Sequence, residues 1–172
     1  VNHLTGITFE FIAVDVENHG AFAEHVDEEL FEDNPQEYIR RDAEGADADT
    51  RRRGATDLVR GLSKSFESEV IQIFTSNIEE LLAAATADPG GAWKQKDAAI
   101  FLVTSLAVKA SISGKGATET SELIDPIDFF GSTIYPDLQT EDLNRQPVLK
   151  ADALKYVTTF RNNLTKEQFL EI

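Results

Sequence analysis

The chain has 172 residues, enough for one domain with a substantial core, and its 31 acidic against 16 basic side chains give a formal net charge of −15. That charge repels phosphate backbones, so nucleic acid is not an expected partner, and it favours solubility and long-range attraction of basic protein surfaces. Without cysteine there is no disulfide framework, thiolate nucleophile or zinc-finger ligand set, and no run of about 18 apolar residues suggests membrane insertion.

The chain begins at Val1 and holds no methionine, so it is expected to be a piece of a longer protein. His3 to Phe11 is too short for a secretory leader and lacks its basic head. Between Glu24 and Asp49 there are eleven acidic residues against only Arg40 and Arg41, which reads as an exposed segment. Within it, Asn34-Pro35 predicts a short helix over Pro35 to Asp42, with Asn34 as N-cap, proline at the first helical position and Glu37 in the first turn.

Asp49 or Thr50 can cap the next helix, Thr50 to Ser65, whose Ala55, Leu58, Val59 and Leu62 share one face. A second amphipathic helix follows from Ser68 to Thr86, carrying Val70, Ile71, Phe74, Ile78, Leu81, Leu82 and Ala85, until Asp88-Pro89-Gly90-Gly91 breaks it. From Trp93 to about Ala110 a more apolar helix covers more than one face and should be buried between neighbours. Gly114-Lys115-Gly116 is read as a loop. Another helix, Asp125 to Leu138, enters through Pro126 and should be distorted near Pro136. Pro147 to Arg161 is next, with Leu149, Ala153, Leu154, Tyr156, Val157 and Phe160 inside. Thr165 then opens a further helix, with Gln168 completing a capping box.

These helices pair as Thr50–Ser65 with Ser68–Thr86, Trp93–Ala110 with Asp125–Leu138, and Pro147–Arg161 with a partner of which only the start is present. Each pair takes about 40 to 47 residues, the period of the HEAT and armadillo class. The expected fold class is therefore all-α, an α-α superhelix or solenoid of antiparallel helix pairs whose curved surface binds partners. Residues 1–49 would form an N-terminal helix and acidic insertion, and 50–172 about two and a half helix pairs. A closed helical bundle is the alternative.

Several segments carry a more specific likeness. Phe31-Glu-Asp-Asn-Pro-Gln-Glu-Tyr-Ile-Arg-Arg-Asp42, Asp47-Ala-Asp-Thr-Arg-Arg-Arg53 and Asp57-Leu-Val-Arg-Gly-Leu62 come first. Trp93-Lys-Gln-Lys-Asp-Ala-Ala99, Pro136-Asp-Leu138, Pro147-Val-Leu-Lys-Ala-Asp152 and Phe160-Arg-Asn162 follow in order. Together, over about Glu28 to Ile172, the chain resembles the importin-α re-exporters, HEAT-repeat exportins of the importin-β superfamily. The resemblance implies an internal fragment of a receptor that binds importin-α together with Ran-GTP, releases it when the GTP is hydrolysed, and shuttles between nucleus and cytoplasm. It implies no cofactor and no enzyme activity. A helical-repeat interaction domain without retained transport activity is the other reading.

The best candidate contact surface is Asp42 to Arg53. Asp42, Glu44, Asp47 and Asp49 would meet basic loops of a partner, and related receptors use acidic insertions near Ran. Against this, Asp49 can simply cap a helix whose dipole favours acid there. Arg51, Arg52 and Arg53 stand at a helix start, where positive charge is unfavourable, so nearby carboxylates or a partner should hold them. Lys94 and Lys96 beside Trp93 suggest a nucleic-acid platform, but Asp97 and the net charge favour a packed tryptophan at a helix entrance.

Other chemistry fails on spacing. A calcium loop starting at Asp47 needs a glycine before Gly54 and an acid at Leu58, and has neither. His3, His19 and His25 make no metal spacing, and Gly114-Lys115-Gly116 lacks the rest of a phosphate loop. No metal is expected. Paired carboxylates, which a hydrolase would use, are too common in so acidic a chain to discriminate. Self-association through the apolar Phe169-Leu170 end of the solenoid is expected, because each repeat buries its face against the next.

Overall fold

The computed structural model describes residues 33, 34, 36, 37, 51–112, 114–142 and 146–172, with only the backbone of Arg51, Arg52 and Arg53. At the N-terminal helix start, the Asn34 side chain accepts from the Glu37 amide at 3.1 Å, as an N-cap should. The remainder of the predicted Pro35–Asp42 helix lies largely outside the described residues. The chain divides into two compact units, Val1–Leu102 and Val103–Ile172.

In the first unit, α1 runs from Arg51 to Ala87 and is broken only at Phe66, which leaves helical geometry (φ −140°, ψ 41°). The two predicted helices are both there, but a single residue replaces the expected connection. Val59, Val70, Ile71, Phe74, Ile78 and Leu81 are buried along it. Leu58 departs from the expected stripe and is exposed, while its neighbour Val59 is fully buried. Asp88 ends the helix: its carboxylate accepts from the Gly91 amide at 3.0 Å, and a side chain on Gly91 would collide with it. Helix α2, Trp93–Ala107, follows and is buried over most of its circumference from Asp97 onward, matching its apolar composition.

The second unit departs from the expectation where α2 ends. The helix stops at Ala107, not near Ala110, and the chain forms an antiparallel hairpin, β1 Val108–Ile112 with β2 Gly116–Thr120. The presumed Gly114-Lys115-Gly116 loop is its turn. Gly114 and Gly116 have φ of 71° and 77°, a region that glycine enters without Cβ strain, and the Lys115 amide closes the turn on the Ile112 carbonyl at 2.9 Å. Among the described residues the class remains all-α, with one small hairpin between helices.

The predicted Asp125–Leu138 helix is three windings: α3 Pro126–Phe129, a π-helical turn Phe130–Ile134, and α4 Tyr135–Leu138. Asp125 caps it, accepting from the Ile127 amide at 2.8 Å, with Pro126 at the first helical position. The distortion expected at Pro136 sits just ahead of it. A proline in an α-helix removes one main-chain donor and its ring meets the carbonyl four residues back, here that of Ser132, and a wider turn relieves that conflict. Helix α5, Pro147–Phe160, buries Val148, Leu149, Asp152, Ala153, Tyr156, Val157 and Phe160, whereas Leu154, predicted inside, is exposed. Finally α6, Lys166–Leu170, starts with the predicted capping box between Thr165 and Gln168.

Candidate interaction surface

Of the residues singled out for partner contact, Asp42, Glu44, Asp47 and Asp49 lie outside the described residues. Arg51, Arg52 and Arg53 form the first turn of α1, as expected, and that turn holds no acidic residue. The Lys94 ammonium lies 5.4 Å from the centre of the half-buried Trp93 ring, a cation–π contact within the same helix entrance. Among the described residues, no three acidic, histidine or cysteine side chains converge as a metal site, and no helix is long and apolar enough to cross a membrane.

Two carboxylates are buried inside the helices: Asp97 at 0% exposure in α2 and Asp152 at 2% in α5. Both belong to segments that carry the family likeness. The other such segments build the second unit. Lys150, from Pro147–Asp152, donates its ammonium to the carbonyls of Asp137, Leu138 and Thr140 at 3.2, 2.6 and 3.0 Å. Two of those carbonyls come from Pro136–Leu138, so Lys150 supplies from outside the cation that the C-terminal end of α4 favours.

Phe160-Arg-Asn162 has a comparable role. The Phe160 ring packs 4.5 Å from that of Tyr156, itself 5.7 Å from Phe129. Arg161 donates through Nε to the Lys115 carbonyl at 3.0 Å and through Nη2 to that of Gly114. Asn162 donates Nδ2 to the carbonyls of Lys115 and Ala117, each at 2.9 Å. The Tyr156 hydroxyl donates to the Pro126 carbonyl at 2.9 Å. Burial first, and the Asp125 charge second, push its pKa well above the usual tyrosine range, so it is a fixed neutral donor. None of these side chains was singled out for such a role from periodicity; the glycine pair at 114 and 116 is the local signal of a close backbone approach.

What this geometry provides is a helical scaffold, in which caps, clamps and packed rings hold helices in place. Comparison with known proteins makes the class specific. The family model for Cse1 matches residues 20–172, and the chain belongs to that family. Exportin-2 of Pagrus major is 51% identical over 170 residues, covering 99% of this chain, and exportin-2 of Homo sapiens is 49% identical over 169 residues, covering 98%. The solved structure of the exportin Cse1 in its cargo-free, cytoplasmic state overlays with a TM-score of 0.81 at 43% identity, covering 87% of this chain and 16% of that one. The chain thus spans 17% of the length of the curated relatives it matches.

Proposed function

We propose that this chain is a section of a nuclear export receptor that binds importin-α together with Ran-GTP and returns it to the cytoplasm, shuttling between nucleus and cytoplasm. In this reading residues 1–49 contribute an acidic insertion and 50–172 contribute about two and a half HEAT-like pairs of one α-α superhelix. The overlay on an exportin at 43% identity is the observation that supports it most, because it matches sequence and backbone at once. The chain acts by presenting surface and has no enzyme activity of its own: polar groups such as the buried Tyr156 and the half-buried Lys150 are engaged in holding helices.

The partner-facing residues of this reading are Asp42, Glu44, Asp47, Asp49, Arg51, Arg52 and Arg53. A pull-down of purified importin-α by this chain, with and without GTP-loaded Ran and at two salt concentrations, tests the reading. Binding should require GTP-loaded Ran and weaken with salt, since exposed charge pairs are screened. It should also weaken when the four acids are changed to their amides. A folded chain that binds neither protein at either salt concentration would refute binding by this section.

The exposed Phe169, Leu170 and Ile172 around α6 support self-association, with Leu170 at 77% exposure. Light scattering should show mass rising with concentration for the native chain and not for Leu170→Asp. A strictly monomeric native chain at high concentration would overturn this.

A further inference from the structure

The hairpin is poorly supplied with the usual means of holding a strand pair. Among its described residues only Val108 and Ala117 are buried, and its register is irregular on both sides of Ala110. A two-stranded hairpin is marginal in water unless a neighbour supports it. Its root is tied by the Ser121 amide, which donates to the Ala107 carbonyl at 2.8 Å at the end of α2. Its tip is held by α5 and the residues just after it. Arg161 and Asn162 take the carbonyls of Gly114, Lys115 and Ala117, and Gly116 lies against the carbonyls of Thr158 and Thr159, where a Cβ would come within 2.6 Å of the latter.

The hydrogen bonds from Arg161 and Asn162 share three properties: they run from side chains to main chain, they sit near the surface, and they are concentrated at the turn and the residue that follows it. Net contributions of such bonds are small, so the tip can leave α5 at a cost below that of unfolding the buried helices. We infer that the hairpin 108–120 is a strap, latched by Arg161 and Asn162, that ties the end of α5 to the end of α2 and opens independently of the helices it joins. When closed, it fixes the C-terminal end of α5. When open, it leaves the Arg161 fork and the Asn162 amide as free donors at the surface.

Native-state hydrogen exchange on the full 172-residue chain tests this. In the unaltered chain the ladder amides of Val108–Ile112 and Gly116–Thr120 should exchange faster than those of the middle of α5, with little dependence on low concentrations of urea, the mark of local opening. Arg161→Ala should accelerate the hairpin amides by about tenfold and Asn162→Ala by about fivefold, leaving α5 within about twofold of its native rates. Unchanged hairpin rates in both variants would remove the latch role. Hairpin and α5 amides that accelerate together, or share one urea dependence in the unaltered chain, would show that the strap opens only with the whole unit. The urea comparison needs no substitution and decides the matter even if a variant folds poorly.

Discussion

Along α1 the hydroxyls of Ser63, Thr75 and Thr86 each donate to the carbonyl four residues earlier, whereas in the second unit Tyr156 and Arg161 reach carbonyls 30 and 47 residues away. The first pattern is what any helix offers a small hydroxyl, and it adds little beyond the helix itself. The second is specific to one arrangement of segments. Helix α1 takes its place from an apolar stripe; the second unit adds to its apolar core a set of polar clamps that fix short, irregular windings. Substitutions in α1 should therefore scale with burial, and in the second unit also with the number of main-chain carbonyls a side chain satisfies.

The largest effect should come where the second unit relies on packing like any core. Phe160→Ala, at 0% exposure and against Tyr156, should cost about 3–5 kcal/mol in urea unfolding. Leu154→Ala, on the same helix but 51% exposed, should change stability by no more than about 0.5 kcal/mol. Equal losses would mean that the outward placement of Leu154 is wrong. Lys150→Met comes next. It keeps most of the apolar stem but removes a charged donor shared among three carbonyls, so a loss of about 1.5–3 kcal/mol is expected in the same assay. An unchanged midpoint would show that water replaces the ammonium at no cost.

Glycines sharpen the contrast, because the same substitution should have opposite signs in the two regions. Gly61→Ala, in α1 with open space around it, should stabilise by about 0.5–1 kcal/mol. Gly116→Ala should destabilise by about 1–2 kcal/mol from its positive φ alone, before the collision with the Thr159 carbonyl is counted. Midpoints moving in the same direction would contradict the account of one of the two sites.

The contrast also separates what the sequence disclosed from what it hid. Periodicity revealed α1, α2 and α5, because an apolar stripe is a repeated signal, and cap chemistry marked Asn34 and Thr165 because one side chain and one nearby amide suffice. The hairpin is hidden from the sequence, which suggests helix as far as Ala110 and a loop at Gly114-Lys115-Gly116: its strands are five residues each and mostly exposed, so they lack the alternation that betrays a half-buried strand. Leu154 was misplaced because it is apolar at a helical spacing, and nothing local says which side of α5 is covered. The clamps at Lys150, Arg161 and Asn162 depend on carbonyls of other segments, which no local pattern encodes. They do fall within the segments quoted for the family likeness, so that likeness marked these positions without giving their mechanical role. The acidic candidates from Asp42 to Asp49 rest on charge alone.

One further substitution has an effect whose size depends on pH. Tyr156→Phe removes the bond to the Pro126 carbonyl and should cost about 1 kcal/mol near neutral pH. Burial, reinforced by Asp125, raises the folded-state pKa of this hydroxyl above its ordinary value of 10.0. Below that value both folded and unfolded chains keep the proton, so its contribution is fully present. Above it the unfolded chain ionises while the folded chain does not, and stability falls as pH rises, by about 1.4 kcal/mol for each further pH unit. The phenylalanine variant lacks this loss. The gap between the two proteins in urea unfolding should therefore shrink from pH 9 and close near about pH 11, where the ionisation loss equals the bond removed. A gap that stays constant over that range would mean that Tyr156 ionises in place, and that water reaches the packed rings of the second unit.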